Sequence, residues 1–425
     1  MTSLLTRARQ LRLHRRYEEA VAMLLQHLAA FPEDPSAFQE LALCRMDIPG
    51  MMNEALSNAR TAVGLQPGHP FPLILEAEIL TRLDRDEESL AIANRALAID
   101  PDYVPAWKVR AMAEGGLSRW KESEASVRKA LALDPDDAGA SNMLAHALRV
   151  QGRLDESEAE NRRRLARDPE NAFAFATTGW SSLQRGNVRE AEGYFKEALR
   201  IDPNLKHARE GLKTAYRSRA WFYRIFLKWS LFLQRFSKQN RVGLLIGIYF
   251  GFRVLRYLAE SVNVGLAMGL SAVYGFIIFG TWLADGIANL LVLRDPVARL
   301  SLDRSEKLEG LLIGGSFVIG LVTLVTGIVM NSNATIAAGL TFLLIGVPGS
   351  MLFNNLALPG RVAFSAATAL VALFGLTASK AVLHADAEPF TESKAMPGMI
   401  FAFLVTMGCT WLSMVPALRR KRAVA

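Results

Sequence analysis

The stretch AFAFATTGWSSLQRGNVREAEGYFKEALRIDP, residues 172–203, decides the fold. Its apolar and small residues recur at three- and four-residue steps, the spacing of a helix face, and it ends on Pro203. Five earlier prolines close comparable stretches: Pro32, Pro67, Pro101, Pro135 and Pro169. From Pro67 onward the spacing is 34 residues; the first gap is 35, which places one inserted residue near Ile48, Pro49 and Gly50 or in the preceding turn between Pro32 and Pro35. A fixed period of this length in an Ala/Leu-rich background predicts stacked helix–turn–helix units.

With each proline set as position 32, small residues recur at positions 8, 20 and 27 and large apolar ones at 4 and 24. The sixth unit shows Phe175, Gly179, Ala191, Phe195 and Ala198. The fourth shows Trp107, Ala111, Ser123, Val127 and Ala130, and the first Leu4, Ala8, Ala20 and Leu24, with Leu11 between. Two antiparallel helices approach closely only where one presents a small side chain. The large residues fill the space between units, and proline ends the second helix because it lacks an N–H and clashes with the preceding turn. The fifth unit departs most, with Ser141, Asn161 and Arg164 at positions 4, 24 and 27.

This pattern resembles the tetratricopeptide-repeat family over roughly half the chain. The resemblance implies an all-α helical solenoid of about six repeats over residues 1–217, closed by a polar capping helix at 204–217. It further implies a concave groove lined by positions 5, 9 and 12 of each first helix, here including Lys108, Met112, Asn142, His146, Arg149, Ala176, Trp180 and Leu183. Basic, amide and aromatic groups in such a groove suit a peptide with acidic and apolar side chains. Met112 stands where the carboxylate clamp of chaperone-binding members has asparagine, which argues against chaperone tails.

Charge divides the chain. Residues 1–203 carry 26 basic and 31 acidic groups, 204–241 carry 10 and 1, and 242–425 carry 13 and 9, which sums to the net +8. The basic balance therefore comes from a short collar, and a nucleic-acid reading loses its force. In the collar, residues 218–241, Trp221, Phe222 and Trp229 interleave with Arg224, Lys228 and Arg235. Rings settle at the headgroup level and cations meet anionic lipids, so an interfacial linker helix is expected.

Six apolar stretches follow within residues 242–418: about 242–259, 264–284, 308–330, 334–353, 362–383 and 396–416. They are expected to form a polytopic transmembrane bundle of about six spans, each needing roughly 20 apolar residues. Basic groups fall before residue 242, at 294–307, at Arg361 and in the tail 419–425, while the loop holding Asp386, Glu388 and Glu392 is acidic. That distribution puts both termini in the cytoplasm. The start of the chain has no secretory apolar run, and the composition points to a bacterial inner membrane. Gly243, Gly247 and Gly251 line one face of the first span, expected to pack inside the bundle or to join a second copy. Arg253, Arg256 and Asp285 are ionisable groups at membrane depth, the default place to suspect function. Arg256 and Glu260 are spaced to pair.

Chemistry is not expected. The six histidines never stand at metal-ligand spacing, Cys44 and Cys409 lie in different segments, and no phosphate loop, dinucleotide fingerprint or nucleophile elbow is present. No cofactor and no enzymatic role is expected. The sequence reads as a membrane-anchored scaffold that holds a protein or peptide in its repeat groove. The alternative is a transporter or lipid-handling protein with the repeats as a regulatory module.

Overall fold

The computed structural model describes residues 4–236, 238–296, 298–353, 355, 357–381, 396–412, 415 and 418. The loop with Asp386, Glu388 and Glu392 and the tail 419–425 lie outside the described residues. All regular elements are helices. The first thirteen are α1 (Leu4–Leu13), α2 (Tyr17–Ala30), α3 (Pro35–Met46), α4 (Met52–Leu65), α5 (Pro70–Arg82), α6 (Asp86–Ile99), α7 (Val104–Gly116), α8 (Trp120–Leu133), α9 (Ala138–Gln151), α10 (Leu154–Arg167), α11 (Ala172–Arg185), α12 (Val188–Ile201) and α13 (Lys206–Arg217). They form six helical pairs and the capping helix. The chain divides into two compact units, one of Met1–Ser181 with Leu231–Leu244, the other of Ser182–Ser230 with Leu245–Ala425.

Each pair turns through one left-handed residue at position 15. Gly50, Gly152 and Gly186 take φ of 86°, 84° and 95° there, and Arg15, Asp84 and Ser118 take 60°, 59° and 58°. Only glycine adopts this region without a Cβ clash, so three of the six turns carry strain. The inserted residue of the second repeat lies in this turn, because α3 ends at Met46 and α4 begins only at Met52. Position 8 of that repeat is therefore Ala42, which is fully buried.

The close approach at positions 8 and 20 has a polar variant. Ser89, Ser123 and Ser157 stand at position 20 and donate through Oγ to the carbonyls of Ala77, Ala111 and Ala145 at position 8, at 2.8, 2.8 and 2.7 Å. A buried hydroxyl is thus satisfied without widening the helix pair. In the fifth repeat, Asn161 is 2% exposed with Nδ2 unpaired, and Arg164 Nε is likewise buried without a partner. That repeat forms its helices but fills positions 24 and 27 with polar groups.

In the second unit, α13 closes over Phe195, which is fully buried; a Cβ on Gly211 would overlap its ring. Then come α14 (Trp221–Leu233), α15 (Lys238–Val262) and α16 (Val264–Val292), and helices Arg304–Val329, Asn333–Phe353, Leu358–Ala381 and Met396–Leu412. All six expected stretches fall on helices. Of the six expected spans, three are supported among the described residues as helices long and apolar enough to cross a membrane: Arg304–Val329, Asn333–Phe353 and Leu358–Ala381. Helix α15 carries Arg253 and Arg256 within its apolar run. Helix α16 runs 29 residues, from Val264 to Val292, and the last described helix runs from Met396 to Leu412. Among the described residues a Cβ on Gly243, Gly247 or Gly251 would meet nothing within 4 Å, so no neighbour packs on the glycine face of α15 there.

The turn strain is testable. Ser118→Gly should raise stability by about 1 kcal/mol, and Gly152→Val should lower it by about 1–3 kcal/mol. Urea midpoints of the two variants should move in opposite directions from wild type; equal shifts would remove the left-handed turn as a source of strain.

Candidate functional site

Helix α9 places Asn142, His146 and Arg149 on one face, since residues four and seven apart fall on the same side of a helix. Arg149 is 4% exposed, its Nε has no hydrogen-bond partner, and no ion pair reaches it among the described residues. Its guanidinium lies 5.8 Å from the ring centroid of Trp180, within cation–π range. Burial alone pushes its pKa down, to about 10. The group stays charged at neutral pH and is short of a counter-charge. Asn142 Oδ1 is also buried without a partner. His146 meets Trp120 edge-on at 5.6 Å.

The other expected groove residues behave differently. Lys108 Nζ is bound to Asp137 Oδ2 at 2.8 Å. Asp137 also caps α9 by accepting from the Ala140 N–H at 2.6 Å. Burial raises its carboxyl pKa, but the Lys108 and Ala140 hydrogen bonds outweigh burial and hold it below the ordinary value. Lys108 is thereby committed to the repeat framework. Met112 stands exposed with no partner in the groove set. The structure thus brings Arg149 and Trp180 together, with Asn142 and His146 beside them on α9.

Within the same unit, Trp120 Nε1 donates to the Gln234 carbonyl at 2.8 Å. Arg235 lies over the Phe232 ring at 5.9 Å and against the turn glycine Gly152. Sequence reasoning missed Trp120, although it is the one aromatic besides Tyr17 at the first position of a second helix.

The second unit holds a buried polar cluster that the sequence did not announce. Arg217, on the capping helix, donates from Nε to Asn289 Oδ1 at 2.7 Å, and contacts Asp285 Oδ1 at 3.3 Å and Glu306 Oε1 at 3.2 Å. Lys213 Nζ reaches Glu306 Oε1 at 2.9 Å. Asn289, fully buried, donates from Nδ2 to Glu309 Oε2 at 3.2 Å. The Tyr223 hydroxyl donates to Asp285 Oδ1 at 3.1 Å. Burial lowers the Arg217 pKa, but Asp285, Tyr223 and Glu306 outweigh it and hold the group above its ordinary value. Burial and the Asp285 charge raise the Tyr223 hydroxyl. Two local features set up the acid side. Asp303 and Glu306 form a reciprocal capping box at the start of helix Arg304–Val329. Gly310 then lets that helix lie on α16, since a Cβ there would stand 2.9 Å from the Asn289 carbonyl carbon.

The ionisable groups expected at membrane depth have separate surroundings. Asp285 is held by Arg217 and Tyr223, while among the described residues Arg253 Nη1 reaches Tyr249 Oη of its own helix, at 3.3 Å. Arg256 and Glu260 are exposed and make no ion pair among the described residues. Of the collar residues, Trp221 is 67% exposed, Arg224 and Lys228 are exposed, and Phe222 and Trp229 are half-buried. Cys44 is a free, buried thiol pushed up to about 11 by burial, a poor nucleophile at neutral pH. Among the described residues no His, Cys, Asp and Glu group is placed to hold a metal.

Residues 109–172 match the family described as Tetratricopeptide repeat. Among solved structures the chain is similar to a thermophilic repeat protein of Thermus thermophilus, at 27% identity over 42% of this chain and 97% of that one, with a TM-score of 0.39. It is also similar to YrrB, described as a repeat protein with an unusual peptide-binding site, at 18% identity over 45% and 97%, TM-score 0.33. A third is a repeat protein of Parabacteroides merdae, at 16% identity over 57% and 96%, TM-score 0.45. No curated protein matches this chain.

The cluster gives a direct test. Glu306→Ala leaves Lys213 and Arg217 facing each other without their shared carboxylate and should cost about 3–5 kcal/mol. Glu306→Gln keeps the acceptor of the capping box and should cost less. Thermal melting of the detergent-extracted protein measures both; a melting temperature unchanged in Glu306→Ala would show that Arg217 is held by Asp285 and Asn289 alone.

Proposed function

We propose that this protein, whose residues 109–172 match the tetratricopeptide-repeat family, is a membrane-anchored scaffold that captures a protein or peptide through an acidic group at Arg149 and Trp180. The observation that carries the reading is the Arg149 guanidinium, withdrawn from water with no acid among the described residues to neutralise it. A buried charge without a partner costs several kcal/mol. Keeping one is understandable where a ligand supplies the counter-charge on binding. The unmet Asn142 Oδ1 on the same helix face offers such a ligand an acceptor for a backbone N–H.

Anchoring rests on the three helices of membrane length. In this reading the repeats face the cytoplasm of a bacterial cell, on the side of the basic collar, and no nucleic acid is involved. The free glycine face of α15 is available to a second copy. Asp285, one of the ionisable groups that would support a transport role, is paired with Arg217 of the capping helix. A lipid-handling role keeps one favourable observation, an apolar cavity in the second unit.

Arg149→Met separates stability from capture. Removing an uncompensated buried charge should leave the melting temperature unchanged or raise it. In-cell crosslinking followed by mass spectrometry on full-length protein should show partners joined to residues 100–180 in wild type and at least tenfold fewer in Arg149→Met. Trp180→Ala, which removes the ring over the guanidinium, should act in the same direction. An unchanged set of crosslinked partners in a stable Arg149→Met protein would end the groove assignment.

A further inference from the structure

The second unit contains a partly open cavity of about 500 Å³. That volume lies within the ~300–1,000 Å³ range of ligand sites. Its wall is apolar throughout. Trp221, Phe222 and Phe226 of α14 form one side, Ala284 and its neighbours on α16 a second, and Phe317, Leu343 and Leu344 a third. Phe317 lies on helix Arg304–Val329 and the two leucines on Asn333–Phe353, both of membrane length. Gly280 on α16 makes room for the Phe226 ring, which a Cβ there would overlap. The ring is thus held as a fixed wall, buried to 9% exposure.

Two features identify the occupant. First, the cavity continues an apolar outer face. Val318 and Leu321, beside Phe317 on the same helix, are 45% and 47% exposed, the condition of side chains that meet lipid tails. Second, Trp221 belongs at once to the cavity and to the exposed stripe of α14. Arg224 and Lys228 follow it three and seven residues on, on the same helix face. Both cations are exposed, and neither forms an ion pair among the described residues. An indole at the mouth with free cations beside it matches an anionic headgroup above an acyl chain.

We infer that this cavity holds one acyl chain of an anionic phospholipid, with its headgroup on Arg224 and Lys228. The inference rests on the membrane-anchored reading. The lipid would be a bound, stoichiometric component of the unit, distinct from the lipid that surrounds any membrane helix.

The test uses the full-length protein extracted from membranes in mild detergent and washed with excess detergent. Retained phospholipid is quantified by native mass spectrometry, with membrane fractionation and melting temperature measured alongside. Wild type should keep about one phospholipid per chain, enriched in anionic headgroups. Leu343→Trp, which fills the cavity, should cut retention at least tenfold. Arg224→Glu with Lys228→Glu, two exposed positions that leave packing intact, should keep the lipid but lose the preference for anionic headgroups. Equal retention in wild type and a folded Leu343→Trp protein would overturn the inference, showing only surrounding lipid. So would a second copy or a peptide in place of lipid in the native spectrum. If Leu343→Trp fails to fold, the charge variant decides, and an unchanged headgroup preference overturns the assignment. A protein found in the membrane fraction without retained lipid fails this inference alone; a protein absent from that fraction fails the anchored reading first.

Discussion

Every repeat depends on one constraint: its two helices must reverse direction within a few residues and then touch. The reversal needs a left-handed residue at position 15, and all six repeats supply it, whether or not glycine is there. The contact needs a small residue at positions 8 and 20. Where serine takes position 20, its hydroxyl must be satisfied at once, and it binds the carbonyl of position 8 in its own repeat. The 34-residue spacing of the prolines from Pro67 onward is consistent with these two requirements. Helical periodicity then puts Asn142, His146 and Arg149 on one face of α9.

Local rules made the repeats legible. Proline stops, small-residue spacing and the 34-residue period are properties of neighbouring residues, and the helices begin at positions 1 and 17 wherever the pattern places them. The inserted residue was narrowed to two places, and helix ends alone resolved it to the turn holding Gly50. The polar cluster of the second unit was not legible, for a physical reason. Arg217 finds Asp285 and Glu306 at separations of 68 and 89 residues, and no spacing rule connects them. Only the capping box at Asp303 and Glu306 left a local trace. The apolar runs were legible as helices, and three of them are long and apolar enough to span a membrane among the described residues.

The cluster also changes what the basic collar means. Counting charge treats each lysine and arginine near the membrane as available to lipid. Lys213, Arg217 and Arg219 are instead taken up inside the protein by Glu306, Asp285, Asp295 and Glu192. Buried, multiply bonded pairs of this kind are geometry-setting, whereas exposed ones contribute little. What remains free on α14 is Arg224 and Lys228. The exposed cations of α14 are therefore fewer than the collar's charge count implies, and they stand on the helix face that carries Trp221.

A chain that obeys its local rules almost everywhere is most informative where it breaks them. The fifth repeat breaks them three times. It puts asparagine and arginine at positions 24 and 27, where other repeats have apolar or small residues, and it buries Arg149 at position 12 without an acid. Asn161, Arg164 and Arg149 all keep buried nitrogen atoms unpaired. Each such atom costs free energy that an aliphatic side chain of similar size would not. Stability alone would select against all three. The first two can be internal compromises of packing, since Arg164 still reaches Asp168 at 3.1 Å. Among the described residues Arg149 has no such bond, and its guanidinium lies over the ring of Trp180. A cation held under an aromatic ring with no acid among the described residues is energetically incomplete in the free protein, which is the observation the proposed capture of an acidic group rests on.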